Sequence, residues 1–331
     1  MTRLWLLPAA LACSAPDAAP RVPAAPGSHA STRAFLLAER DLLPESIAFD
    51  PASGSFFVGS MHRRKIVRRD PDGRVQDWAG PERGLWSILG IKLEAARGAL
   101  WANSCNMGDD LPMAPADPAT VGRGALIRLR LADGSVARRY EPPESARPIC
   151  FNDLALSPAG DVYLTAGRGG LWRLARGGDR LERLIRDTTL WLNGIASGPD
   201  GALYVADDSL GPLLVEPASA RWRRLARPVG STLRGIDGLY AHGGALVWIQ
   251  NGVEPARVVR APLVGDGALG DLQVLDAGHP DYAAPTTGVI VGDTLFYVAT
   301  AQLAAIRPGG TVAPADSMRE NVILRVAIPG H

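Results

Sequence analysis

The chain repeats one pattern of apolar and polar positions six times. In each copy a run of small apolar residues leads through a glycine-containing turn, such as residues 158–160, into a run rich in aromatic and β-branched residues. Short runs of this kind, separated by turn residues, are typical of β-strands. No long window places apolar residues at the intervals of three and four that a helix requires. The pattern therefore predicts an all-β protein.

The copies recur about every 40 to 50 residues, with one longer gap, which is typical of β-propeller blades. A third apolar strand is expected to begin in the six copies at Lys65, Ala125, Gly170, Pro212, Arg257 and Val322. A more polar fourth strand follows, as suits an exposed edge. The last copy has no fourth strand after its third strand. The segment AFLLAER, which begins at Ala34, has the pattern to supply that fourth strand. The sequence thus predicts a six-bladed β-propeller over residues 34–331, with the ring closed by an N-terminal strand.

Four of the six copies carry a polar residue two positions before their first apolar residue. These residues are Glu45, Asn152, Asn193 and Asp237, and Leu89 and Thr287 stand at the corresponding positions of the other copies. Because the loops into the first strand and out of the second emerge on one face of a propeller, we expect the four side chains to surround the axis there.

The chemistry of these four side chains suits one divalent cation. Two carboxylates and two amides form an all-oxygen set, so Ca²⁺ is the first expectation, and Mn²⁺, Mg²⁺ and Zn²⁺ are the alternatives. Asn and Asp are also common in turns, which is the other interpretation of Asn193-Gly194 and Asp237-Gly238. That interpretation does not extend to Glu45, since Glu has no special role in turns.

The short motifs around these four residues resemble those of a known family. The motifs are PES at Glu45, FND at Asn152, LNG at Asn193 and IDG at Asp237. The family comprises gluconolactonases, regucalcin (senescence marker protein) and luciferin-regenerating enzyme, and the resemblance covers about residues 35–329. It implies a six-bladed propeller, a divalent metal held by Glu45, Asn193 and Asp237, and hydrolysis of lactones or related esters. Asn152 would contact substrate or complete the coordination, and Asp237 would double as the general base. The basic residues that bind sugar lactones in the family have no identifiable counterpart here.

Arg168, Asn251 and His279 are further candidates for contact with a small-molecule substrate at this mouth. Arg168 would hold an anionic group, or is simply a solvent-facing charge. His279, in GHPDY, would act at the site or order the loop into the last blade. The segment 107–124, rich in Met, Pro and Asp, is either a lid over the mouth or an unstructured surface loop.

The charge balance favours neither nucleic acid nor an anionic membrane as a partner. Lys and Arg number 35 and Asp and Glu 34, which gives a net charge of +1. With 47% hydrophobic residues, the 331-residue chain can bury a large core.

The first residues differ in composition from the rest. Residues 1–12 are typical of an export signal, and the stretch ALAC, which ends at Cys13, resembles a lipoprotein cleavage box. We therefore expect an exported, periplasmic protein anchored to the membrane by a lipid on Cys13, with residues 13–33 as a flexible tether. A plain signal peptide and a misassigned start codon are the alternatives. In an oxidising compartment Cys105 and Cys150 either form a disulfide or remain two free buried thiols.

Two functions follow from this interpretation. The first is a metal-dependent hydrolase of lactones or related esters. The second is a propeller that serves as a binding module, with a structural cation and no chemistry. A narrow or plugged mouth would favour the binding module.

Overall fold

A computed structural model describes residues 30–265 and 267–330, and it forms an all-β propeller of six blades. The predicted signal peptide, the lipidation site at Cys13 and most of the predicted tether lie outside these residues. The chain of each blade runs antiparallel from an inner strand at the axis to an outer strand at the rim.

Blades 1 to 3 each contain four strands in chain order, from the axis outward. Their bounds are Pro44–Asp50, Ser55–Ser60, Lys65–Arg69 and Val75–Ala79; Ser87–Glu94, Ala99–Asn106, Arg123–Arg130 and Val136–Tyr140; and Leu154–Leu156, Val162–Thr165, Leu171–Leu174 and Leu181–Ile185.

In blades 4 to 6 the outer position varies more. Blade 4 consists of Leu192–Ser197, Leu203–Asp207, Gly211–Glu216 and Arg221–Arg224. Blade 5 consists of Ile236–His242, Ala245–Gln250 and Arg257–Val264, and its third strand pairs with both Ala268–Leu269 and Gln273–Ala277. Blade 6 consists of Gly288–Val291, Thr294–Val298, Asn321–Ala327 and Thr32–Leu37.

Short 3₁₀ helices and one small hairpin lie in the connections between these strands. The helices are Arg40–Leu42, Pro81–Arg83, Ala95–Arg97, Gly108–Asp110, Pro118–Thr120, Glu144–Ala146, Leu303–Ala305 and Ala315–Ser317, and the hairpin pairs Ile306–Arg307 with Thr311–Val312. In the two described ranges, none of the helices has the length and apolar character needed to cross a membrane.

The six-bladed ring and its closure by an N-terminal strand are confirmed. Thr32–Leu37 pairs antiparallel with Asn321–Ala327, so the two ends of the described chain share blade 6. The strand begins two residues before the predicted start at Ala34. Arg33 extends it by donating to an Asp281 carboxylate oxygen at 2.6 Å, a partner far away in the sequence.

The apolar core lies between neighbouring blades. Six buried clusters of the described residues fill the six spaces around the ring, each built from two adjacent blades. Inner and second strands are buried on both faces, as all six residues of Ser55–Ser60 illustrate. This explains why these strands are almost continuously apolar rather than alternating.

Leu37 and Leu36 provide a test of the closing strand. Leu37 is 1% exposed in the cluster between blades 6 and 1, whereas its neighbour Leu36 is 40% exposed. We expect Leu37→Ala to lower the free energy of unfolding by about 2 to 5 kcal/mol and Leu36→Ala by about 0.5 kcal/mol or less. Equal losses for the two variants in urea unfolding would contradict this closure.

Candidate functional site

A β-bulge interrupts the pairing of the inner strand with the second strand at the same point of each blade. In blade 3, the Asn152 amide donates to the Thr165 carbonyl at 2.7 Å, and the Thr165 amide donates to the Asp153 carbonyl at 3.1 Å. Thr165 of the second strand therefore pairs with two residues of the inner strand, Asn152 and Asp153. Val298 faces two residues of blade 6 in the same way, and the register shifts in the other blades fall at Pro44/Ser46, Ile88/Ile91, Leu192/Ile195 and Ile236/Leu239.

These bulges lie at the six equivalent positions found in the sequence. A bulge breaks the alternation of a strand and redirects side chains. It lets consecutive side chains such as Asn152 and Asp153 both approach the axis, where regular pairing would turn one of them away.

Contacts between neighbouring blades join the bulges into a ring. The bonds are Thr287 Oγ1 to Glu45 O at 2.8 Å, Ser46 Oγ to Leu89 O, Gly90 N to Asn152 O at 2.8 Å, Thr165 Oγ1 to Asn193 O at 2.6 Å, and Gly238 N to Thr286 O at 3.2 Å. Blades 4 and 5 meet at Gly194, where a Cβ atom would lie 2.1 Å from Asp237 O. Gly194 is therefore required by this close approach between blades.

Asp237 is buried, and amide donors hold its carboxylate. Asn251 Nδ2 donates to Asp237 Oδ2 at 2.6 Å and to the Pro285 carbonyl at 2.9 Å. Burial raises the pKa of Asp237 to about 7 and the charge of Asp153 adds to this, although the amides of Asn251 and Asn193 oppose it. Asn251, predicted to contact substrate, thus contacts and orients the predicted base.

Glu45 is buried on the same ring. Burial, followed by the charges of Asp237 and Asp153, raises the pKa of Glu45 well above its usual range, and the Thr286 hydroxyl lowers it. The effect of the Asp237 charge on Glu45 places these two predicted ligands in one electrostatic environment.

Two oxygens of the predicted ligand set are buried without a hydrogen-bond partner in the described structure. They are Asp237 Oδ1 and Asn193 Oδ1, and Asn103 Oδ1 in blade 2 is a further buried oxygen of this kind. Such oxygens normally have partners, and a cation satisfies carboxylate and amide oxygens directly. The ring therefore fits a hard divalent cation.

The fit depends on amide as well as carboxylate oxygens. Within residues 30–265 and 267–330, no group of three or more His, Cys, Asp or Glu side chains could hold a metal ion. Asn152 and Asn193 are therefore needed to complete a ligand set. Both are only partly buried, and the Asn152 backbone is held by Asn103 Nδ2, which donates to its carbonyl at 3.1 Å.

Sequence reasoning missed three residues directly beneath this ring. Asp153 is buried, and its Oδ1 lies 3.7 Å from Lys92 Nζ of blade 2. Lys92 Nζ also lies 5.4 Å from the centre of the Tyr240 ring. The Tyr240 hydroxyl accepts a hydrogen bond from the Gly288 amide, so Tyr240 links blades 5 and 6. The sequence did show an acidic residue, Asp153, directly after Asn152. Its side chain turns toward the axis only because the strand is bulged there.

Lys92 and Tyr240 are among the residues that line an axial cavity of about 300 Å³. The inner strands of all six blades line it with residues one to four positions beyond their bulges, among them Phe49, Leu156 and Ile290. Since a strand rises about 3.3 Å per residue, this cavity lies on the opposite side of the ring from the mouth.

The structure gives Arg168 and His279 other contacts. Arg168 is exposed, donates to the Thr188 carbonyl at 3.0 Å and stacks over Trp191 at 5.1 Å. His279 Nδ1 accepts from the Asp281 amide at 3.1 Å, and its ring lies 5.7 Å from Tyr282. These contacts hold Arg168 at the edge of blades 3 and 4 and order the loop into blade 6; a role for either residue in substrate binding stays a prediction.

The segment 107–124 packs on the mouth face. Leu111 and Met113 are buried, and the Ala114 amide donates to the His62 carbonyl at 2.7 Å. Leu111 shares a buried cluster with Met318, Leu89 and Cys105, which joins the segment to the 303–318 connection above blades 1, 2 and 6. The segment therefore packs as a cover over one side of the mouth, and the interpretation as an unstructured loop is wrong.

Cys105 and Cys150 form a disulfide beside this cover. It joins the end of the second strand of blade 2 to the loop that leads into Asn152 in blade 3. Of the two alternatives left open by the sequence, the disulfide is the one that the structure contains.

The fold resembles solved propeller proteins over nearly its whole length. A gluconolactonase from Xanthomonas campestris is 18% identical, with 95% of this chain and 99% of that chain covered and a TM-score of 0.58. A luciferin-regenerating enzyme is 12% identical, with 92% and 98% covered and a TM-score of 0.60. A PQQ-bound aldose sugar dehydrogenase from Streptomyces coelicolor is 15% identical, with 91% and 99% covered and a TM-score of 0.57.

At these identities the likeness shows the fold alone. The presence of a gluconolactonase and a luciferin-regenerating enzyme among the structural neighbours supports the family resemblance expected from the sequence. No known protein-family model matches the chain. No curated protein matches it either.

The raised pKa of Asp237 predicts an unusual dependence of stability on pH. Between its ordinary pKa of 3.8 and the folded value of about 7, the folded protein binds a proton that the unfolded chain has released. Folding stability contributed by this group therefore falls as the pH rises through this window, by up to about 4 kcal/mol. We expect the Tm of protein kept in a chelator to be lower at pH 8 than at pH 5.

The matched variants for this measurement are Asp237→Asn and Asp72→Asn. Asp237→Asn removes one titrating carboxyl and should reduce the decline, leaving the part that comes from Glu45. Asp72 lies on an exposed turn, so its variant should keep the full decline. A decline of equal size in all three proteins would show that Asp237 is not its source.

Proposed function

We propose that this protein is a divalent-cation-dependent hydrolase of lactones or related esters. The observation that carries the proposal is the buried Asp237 carboxylate, whose Oδ1 has no partner in the described structure and which shares the ring with the unpartnered Asn193 Oδ1. An unpartnered buried carboxylate oxygen is costly for folding, and it is useful where a cation and a reacting water are to be bound.

Glu45, Asn152, Asn193 and Asp237 would hold the cation, Ca²⁺ by preference. When bound, the cation would polarise the carbonyl of the substrate and stabilise the negative charge that develops on its oxygen. The chain's own contribution is to keep these four side chains fixed, through bulges and contacts that join every blade to the next.

Asp237 would act as the general base. Asn251 holds its Oδ2, so the carboxylate presents a fixed edge to an attacking water. The water oxygen attacks the acyl carbon, and its proton passes to Asp237. When the acyl–oxygen bond of the ring breaks, that proton passes to the leaving alkoxide, so the product is a hydroxy acid and Asp237 is regenerated.

Fold likeness alone does not choose this chemistry, since the solved neighbours include a gluconolactonase, a sugar dehydrogenase and a virginiamycin B lyase. The site supports it, because its carboxylates and amides suit a hard cation and an activated water. The cover over blades 1, 2 and 6 is the observation that favours the rival, a binding module with a structural cation.

Export to an oxidising compartment is part of the same proposal. The Cys105–Cys150 disulfide supports it, because such bonds persist mainly outside the cytosol. Attachment to a membrane through a lipid on Cys13 remains a proposal based on the sequence.

The decisive assay measures proton release from a panel of aromatic, aliphatic and sugar lactones. Metal-stripped protein would be refilled with Ca²⁺, Mn²⁺, Mg²⁺ or Zn²⁺. We expect turnover only with metal, a loss of about 10²-fold or more in Asp237→Asn because the base is removed, and weaker cation binding in Glu45→Gln.

Arg168→Gln tests whether its guanidinium binds substrate. A raised KM for anionic lactones with unchanged kcat would support that role. Cation binding without turnover of any lactone would establish the binding module instead, and failure to bind any cation would exclude both functions as stated.

A further inference from the structure

The axial lysine is unusual in this chain. Lys92 and Lys65 are its only lysines, and arginine supplies every other fixed positive charge on side chains. Lys92 lies in the inner strand of blade 2 with its side chain 24% exposed, and the Asp153 side chain beside it is 2% exposed. A buried carboxylate is costly unless a positive charge offsets it, and Lys92 offsets that of Asp153.

Both carboxylate oxygens of Asp153 accept hydrogen bonds from backbone amides. Oδ1 accepts from the Leu154 amide at 2.8 Å, and Oδ2 accepts from the Ile195 amide of blade 4 at 3.3 Å. It is therefore not available as a ligand in the manner of Asp237. Its carboxylate nevertheless lies next to the ring, because Asp153 follows Asn152 in the bulge and bonds Ile195, two residues after Asn193.

We propose that Lys92 determines which charge of cation the ring accepts, by offsetting the charge of Asp153. The remaining charge is then that of Glu45 and Asp237, −2, which matches one divalent ion. This inference rests on the cation site of the proposed function. Lys92 acts through Asp153 and the local field, so it is a specificity-determining residue and not a ligand.

The summed charge of Glu45, Asp237, Asp153 and Lys92 differs between the variants of Lys92 and Asp153. The summed charge is −3 in Lys92→Met and −1 in Asp153→Asn, and the double variant restores the wild-type value of −2. Since the attraction between ions scales with the product of their charges, a more negative ring favours a trivalent ion over a divalent one.

The experiment is titration calorimetry of the full chain with CaCl₂ and with TbCl₃ at one fixed pH. The measured quantity is the ratio of the Ca²⁺ Kd to the Tb³⁺ Kd. We expect Lys92→Met to raise this ratio by about tenfold or more. Asp153→Asn should lower the ratio and weaken both ions, and the double variant should return to the wild-type ratio.

Lys65→Met is the matched control. Lys65 bonds Glu39 at 2.7 Å and Asp77 at 2.8 Å on the third strand of blade 1. Its removal deletes the same charge away from the axis, so the ratio should not change. A change equal to that of Lys92→Met would show that net charge, and not the axial position, sets the preference.

The double variant also keeps the comparison possible if Lys92→Met does not fold. Lys92→Met leaves Asp153 without its cation, whereas Lys92→Met/Asp153→Asn leaves no uncompensated charge in the pair. If the single variant does not fold, Asp153→Asn and the double variant carry the comparison, because their ratios must still differ in the stated direction.

Failure of the inference is distinguishable from failure of the proposed function. Wild-type protein that binds Ca²⁺ and hydrolyses a lactone, with a ratio unaltered in Lys92→Met or not restored in the double variant, overturns the inference alone. Wild-type protein that binds neither ion overturns both.

Discussion

The close approach of the six inner strands at the axis is the constraint on which the site depends. Each bulge places a backbone carbonyl where the next blade can contact it, and the strands come so near at Gly194 that a Cβ atom has no room. The same proximity excludes water from Glu45 and Asp237, and so it raises their pKa values. The contacts that hold the ring together therefore also create its chemistry.

The ring places the carboxylates of Glu45, Asp153 and Asp237 in a buried, poorly solvated environment. Asn251 donates to one carboxylate, Lys92 lies beside another, and backbone amides satisfy the oxygens of Asp153. Each of these groups lowers the cost of one charge without removing it. Asp237 Oδ1 and Asn193 Oδ1 keep no hydrogen-bond partner among the described residues, and these are the oxygens that the proposed cation would bind.

The repeat, the ring and its closure could be predicted because they follow from local patterns that recur along the chain. The four polar positions could be predicted because equivalent positions in repeated blades point to one axis. Asp153 could not, since in a regular strand it would point away from Asn152, and only the bulge brings both inward. The cover formed by 107–124 was equally hidden, because Leu111 is buried by residues distant in sequence.

The closing strand has a consequence for the order of events during synthesis. Thr32 pairs with Arg325, so the first strand to leave the ribosome waits for nearly the last before blade 6 can form. The carbonyl of Glu45 likewise receives its bonds from Thr286 and Thr287. The ring is therefore incomplete on any nascent chain that ends before blade 6. A ring closed in this way brings Glu45 and Asp237 into one site only after the last blade has been synthesised.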